Sequence, residues 1–268
     1  HFILSAGIGS GDIHYQNKAG ATFEFTSGSG FWHGGGGSGP SSLVNDGLLL
    51  KTGDSSCSLN QLNTTNNATI EVQQGTLYYD SSNFNNLMQV NIFANAKLKL
   101  KPSTSSSGNG DYQLAQDAIL ELSEGYPLNC QEGTEITGLG ELRLSTGGDL
   151  NTLGTTMGLQ IAETIAINQY GGHLGGNGKI FYNGTHNWTE GDIFVGNYYL
   201  GADGILNLTG SGTKRMGNGT FHNNGTVNMM SGMGGGNLNF NINDGATLNI
   251  GDNLSVWHTG GGSNTPIL

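Results

Sequence analysis

The sequence predicts an all-β fold: a right-handed parallel β-helix, or β-solenoid, of about eleven coils of roughly 21–25 residues. Three observations predict it. Charged residues make up 11% of the chain, well under the roughly 25% of an ordinary soluble domain. Hydrophobic residues make up 35% and come in short alternating bursts, among 48 glycines and only 4 prolines, a pattern of many short strands joined by tight turns. A five-residue motif also recurs with a nearly constant spacing.

The motif is an anchor, usually small, then any residue, an apolar residue, any residue and a second apolar residue. Its copies are Ala21–Phe25, Asp46–Leu50, Ala68–Val72, Ala96–Leu100, Ala118–Leu122, Gly140–Leu144, Glu163–Ile167, Gly184–Trp188, Gly204–Leu208, Gly225–Met229 and Ala246–Ile250. Successive anchors lie 25, 22, 28, 22, 22, 23, 21, 20, 21 and 21 residues apart. That step is too long for a meander of short hairpins and too short for a βαβ unit of about 30 residues. It fits one coil of a solenoid. Side chains alternate across a strand, so the third and fifth motif positions share one face. Of these 22 inward positions 21 are apolar, and His186 is the exception. A longer repeat, 176–188 against 217–229, has a second strand six residues before the first, so each coil has at least two faces. Crossover connections between parallel strands are nearly always right-handed, and the solenoid is assigned that hand.

The organisation follows in chain order. Residues 1–268 form a single solenoid domain, with 1–20 as a cap or first coil. Residues 27–42, containing four consecutive glycines, and 103–110 read as loop insertions. The 28-residue step between Ala68 and Ala96 reads as a bulged-out corner. Residues 115–251 hold the most regular coils, and 252–268 a last coil or tail.

The segments Asn183–Asp192, Leu206–Lys214 and Asn223–Asn228 resemble repeats of very large secreted surface proteins of Bacteroidota and other environmental bacteria, similar in style to filamentous adhesins. The resemblance covers residues 176–251. It implies a parallel β-helix and an extracellular adhesive or scaffolding role, and it brings no catalytic residues.

Several functional classes find no support. The net charge is −11 with only 9 lysines and arginines, the opposite of a nucleic-acid footprint. No apolar run approaches the roughly 18 residues of a membrane helix, so no membrane insertion is expected. The basic residues are scattered apart from Lys97, Lys99 and Lys101, which read as a solvated face, and Lys214–Arg215. Asp residues do not recur in tandem pairs, and Asp192 and Asp203, eleven residues apart, do not fall on one column. The expectation is therefore a non-enzyme. His14, His33, His173, His186, His222 and His258 lack metal-ligand spacing; His186 and His222 read as hydrogen-bonded core or corner residues. No cofactor is expected, and calcium is considered only at the corner acids Asp46 and Asp244, without an EF-hand loop.

Three sets of residues remain as candidates. In the last coils the fourth motif position reads Asn187, Asn207, Asn228 and Asn249, and the second reads Thr185, Ile205, Thr226 and Thr247. Stacked in register, these make Asn and Thr ladders on a flat polar face. They would stiffen the rod or meet a carbohydrate or mineral surface. Cys57 and Cys130 form a candidate disulfide, with two free thiols as the alternative. Eight glycosylation sequons, at Asn63, Asn67, Asn183, Asn187, Asn207, Asn218, Asn224 and Asn253, matter only in a secreting eukaryote. The expected role is an extracellular rigid rod, an adhesin stalk or matrix scaffold, partnered by neighbouring coils or by self-association. A self-assembling filament and a polysaccharide-binding or polysaccharide-degrading β-helix are the alternatives.

Overall fold

The computed structural model describes residues 1–26, 28–33, 41–104, 106–252, 254 and 256–258. It is a parallel β-solenoid of about twelve coils, and every strand pairing in it is parallel. Each coil carries three short strands, so the cross-section has three faces. In the third coil Leu48–Lys51 lies on face A, Ser56–Asn60 on face B and Leu62–Asn66 on face C. Each pairs with its equivalents one coil before and one coil after: Leu49 lies between Phe23 and Ile70, and Leu59 pairs with Phe31 and Tyr79. Later strands run on around the corners, as in Ala166–Tyr182 and Thr185–Leu200. The coils that matter below are coil 7 (135–152), coil 8 (159–176), coil 9 (179–195), coil 10 (197–217), coil 11 (220–236) and coil 12 (239–258).

The third face explains where the sequence motif loses its register. The copies up to Ala68 mark face A, and those from Ala96 onward mark face B. The 28-residue step is one coil plus the walk from face A to face B, not a bulged corner; the eleven copies fall one in each coil from the second on, and the first coil carries none. Two stretches read as insertions also contain strands: Gly30–His33 and Ser106–Gly108 pair with the neighbouring coils. Residues 27, 34–40 and 105 lie outside the described residues, as does most of 252–268.

The interior is a continuous apolar column. Leu98, Leu120 and Leu142 stack on face B, as do Leu206 and Val227 further along, all essentially inaccessible. Tyr198, Phe221 and Phe240 stack inside face A with ring centroids 5.1 and 4.8 Å apart. Burial of such side chains contributes about 1.5–3 kcal/mol each.

Two motif copies sit differently from expectation. In Asp46–Leu50 it is Leu49 and Lys51 that point inward, while Leu48 and Leu50 face outward. A one-residue slip inverts a strand's faces, and the slip brings Leu49 onto Phe23 and Ile70. Lys51 is tolerated because its Nζ donates to the carbonyls of Thr52, Gly53 and Gln74 at 2.6, 2.7 and 3.2 Å, which satisfies all three of its N–H bonds. Burial lowers its pKa, partly offset by the carboxylate of Asp54. Lys214 repeats the device on the carbonyls of Gly210 and Gly212. In Glu163–Ile167 the expected pair Ile165 and Ile167 is buried, but the register is shifted by two: Ile167 and the buried Gln169 oppose Leu142 and Leu144.

Gln169 prepares the place of His186, which is fully buried as expected. One imidazole nitrogen meets Gln169 Oε1 and the other the Tyr198 hydroxyl, each at 3.2 Å. Burial holds the His186 pKa down at about 3, from 6.5. A depressed histidine stabilises fully above its unfolded pKa, and that stability is lost as pH falls, because only the unfolded chain then binds the proton. Between pH 6.5 and 3 this one group should therefore contribute a slope of up to about 1.4 kcal/mol per pH unit. Thermal melts from pH 7.5 to 3.5 should show His186→Leu less stable at neutral pH, since Gln169 and Tyr198 lose a partner, but with a shallower acid slope than the parent. Equal slopes would contradict the assignment.

Candidate functional site

Face B carries the ladder expected from the sequence. Asn187, Asn207, Asn228 and Asn249 lie in register. Each side-chain amide donates to the carboxamide oxygen of the coil before, at 3.0, 2.9 and 2.8 Å. The ladder begins one coil earlier than expected, because Asn187 donates to Asn168 at 2.9 Å. Thr185, Thr226 and Thr247 lie in one row beside it, with Ile205 between the first two.

Towards the N-terminus the same row becomes charged: Tyr78, Lys99, Glu121, Arg143, then Asn168. Lys97 and Lys99 both meet Glu121, at 2.8 and 3.4 Å, and Lys101 meets Glu124 at 3.3 Å. The three lysines are thus tied to carboxylates rather than forming a free cationic face. Alternation of charge avoids the repulsion of like charges one coil apart.

A second Asn ladder, inside the solenoid, was not expected. Asn17, Asn45, Asn66 and Asn86 are buried where face C turns into face A. Each of the first three donates to the next along the chain at 2.7–2.8 Å. Each of the four also donates to a face A backbone carbonyl, of Leu48, Thr69, Gln89 and Asp111. The signal was present as four asparagines at steps of 28, 21 and 20 residues, but it lies outside the apolar motif.

Face C holds a third row. Asp149, His173, Asp192 and Arg215 occupy the same outward position in coils 7 to 10. The His173 ring lies between two carboxylates, 3.3 Å from Asp149 and 3.0 Å from Asp192. The Arg215 guanidinium grips Asp192 with two nitrogens, one at 2.7 Å. Burial raises the Asp149 pKa, and His173 pulls it back. Asp149 and Asp192 thus share a column two coils apart, with His173 between them, a pair the sequence did not single out. Steps of 24, 19 and 23 residues are the coil period, but the residues differ in kind, and a search for like residues passes over them.

The other candidates fall elsewhere. Cys57 on face B and Cys130 on face C are three coils apart, buried and unpaired, so the candidate disulfide is not formed; a bridge needs Cα atoms within about 7 Å. Burial pushes their thiols up to about 11 and about 12. Asp46 accepts from Asn67 and Gln16, which lower its pKa. Among the described residues no three His, Cys, Asp or Glu converge as a metal site would need. Of the sequons, Asn187 and Asn207 have their amides in the outer ladder. Asn67 and Asn183 donate to carboxylates and Asn224 to the Leu200 carbonyl. Asn63 accepts from the Asn83 N–H, and Asn218 is exposed at a corner with φ 59°. Asn253 lies outside the described residues. His222 stacks on Tyr199 on the outside of face A, with ring centroids 4.3 Å apart.

Compared with known proteins, the chain matches no family model, no curated protein and no solved structure.

The two Asn ladders should differ sharply under mutation. Asn66→Leu strands buried donors and acceptors on its neighbours and should destabilise by about 2–4 kcal/mol. Asn207→Ala opens a half-exposed ladder to water and should cost under about 1 kcal/mol. Urea titrations of both variants test this, and equal losses would show that the inner ladder is not the structural one.

Proposed function

We propose that the protein is a non-catalytic rigid rod, an extracellular scaffold or adhesin-stalk module. The observation that carries this reading is coil-to-coil closure of polar side chains. The inner Asn ladder, the outer Asn ladder and the paired charges of face B all connect one coil to the next. Such ties resist bending and local opening, which is what a stalk or scaffold requires. Eleven steps of about 4.8 Å make a rod of about 53 Å.

One feature favours the filament reading as a variant of this one. In the last described coil Ile242, Ile250 and Val256 occupy inward positions on the three faces and are 46%, 56% and 37% exposed. Phe2 is in the same situation in the first coil, at 52%. Open strand edges and an open core invite a neighbour, either further coils of a longer chain or a second copy.

Negative-stain microscopy across a concentration series should show rods about 53 Å long, or multiples of that length joined end to end. Incubation with neutral and acidic polysaccharides should release no reducing ends. Release that disappears in Asp149→Asn or Asp192→Asn would overturn the non-catalytic reading.

A further inference from the structure

The aspartate–histidine–arginine row borders the place where the solenoid departs from plain repetition. Coils 8 and 9 pair through most of their length, but the register shifts between Tyr170 and His173. Tyr170 opposes Glu190 and His173 opposes Asp192, so Gly171 and Gly172 on one coil face the single Gly191 on the next. This is a β-bulge at the corner between faces B and C. Its glycines are required. Gly172 and Gly191 have φ of 59° and 98°, and a Cβ would overlap the carbonyl of Gly148 on the first and of Gly172 on the second. The corner is therefore recessed, and an open groove of about 320 Å³ runs beside the row.

The walls of the groove are fixed in advance. The Asp192 side chain is only 3% exposed, and it holds both His173 and Arg215, which remain 48% and 46% exposed. The guanidinium also lies over the Phe194 ring, 5.6 Å from its centroid. Glu190, Thr146 and Thr213 are exposed and complete the walls. Preorganised polar groups lose little freedom when a ligand arrives.

The chemistry of the walls selects the ligand. Glu190 accepts, the guanidinium N–H groups of Arg215 not spent on Asp192 donate, and the threonine hydroxyls can do either, while both ring nitrogens of His173 are taken up by Asp149 and Asp192. A ligand dense in hydroxyl groups, each both donor and acceptor, matches this mixture. A polyanion does not: three carboxylates, Asp149, Glu190 and Asp192, stand against one guanidinium in a chain of net charge −11. Outward positions repeat every coil, about 4.8 Å, a step of the same order as one pyranose in an extended chain. The row also continues through Gly234 to Trp257, which is 41% exposed and offers an indole face of the kind that covers the apolar side of a sugar ring. We propose that this groove binds a neutral polysaccharide lying along the solenoid axis, with Glu190, Thr213 and Arg215 on ring hydroxyls and Trp257 stacked on a sugar further along.

The inference rests on the reading of the chain as a non-catalytic rod and gives that rod a ligand. It is tested by affinity electrophoresis of the 268-residue chain in gels containing galactomannan, xyloglucan or hydroxyethylcellulose, with alginate in parallel. Retardation is expected in at least one neutral gel. Glu190→Gln with Thr213→Val, two exposed positions, should weaken it at least tenfold, and Thr146→Trp, which fills the groove, should abolish it, with melting temperatures unchanged. Retardation in no gel, or in alginate alone, overturns the proposal. So does undiminished binding by the Glu190→Gln, Thr213→Val double variant or by a folded Thr146→Trp variant. Release of reducing ends with retardation intact would instead sink the rod reading and leave the groove.

Discussion

Backbone hydrogen bonds between successive coils place each strand residue over its counterpart about 4.8 Å away, outside the bulged corners. A side chain's neighbours are therefore set by its column and not by the residues beside it in sequence. The consequences differ inside and out. Inside, a column must be apolar or must close its own hydrogen bonds, because an unpaired buried polar group costs about 1–3 kcal/mol. Asn17, Asn45, Asn66 and Asn86 meet this condition as a self-pairing set. Lys51 and Lys214 meet it by donating to corner carbonyls, and His186 by a dedicated glutamine and tyrosine.

Outside, the same stacking disfavours like charges in one row. Face B answers by alternation, with Lys99, Glu121 and Arg143 in successive coils, and then by neutrality, with five asparagines. Carboxamides suit such a row because each is both donor and acceptor, so the ladder extends by repetition alone. Face C uses alternation only, and its charges are strongly coupled: Asp192 serves both His173 and Arg215.

This column logic decides what could be read from the sequence. The parallel solenoid, the inward column of face B and the outer Asn ladder were legible because each repeats one kind of residue at the coil period, and the burial of His186 because it stands at an inward position of that repeat. The third face was not. The apolar motif of Asp46–Leu50 fits two registers one residue apart, and only the neighbours Phe23 and Ile70 choose between them. The switch of the motif from face A to face B was hidden for a related reason, since both faces present the same alternating pattern. The charged row of face C was invisible because its members differ in chemistry while sharing a column. What unites them is pairing in space, and pairing needs the register that the bulge at Gly171 and Gly172 shifts.

The position of that bulge separates two properties of the molecule. A ladder gains from uniformity: each added coil offers the next one an identical surface, and stiffness accumulates. Recognition needs the opposite, a place that differs from its neighbours. The solenoid keeps both by confining the irregularity to the outer corners. Ala166–Tyr182 shifts register on its outer corners, while Leu174 and Ile180 stay in line with Leu150 and Leu159 in the core. The interior column passes through coils 8 and 9 unbroken, so the recess on the surface takes nothing from the continuity of the rod. A bulge that reached the core would have to break the stack of Ile167 on Leu142; displacing only glycines at a corner leaves that stack intact.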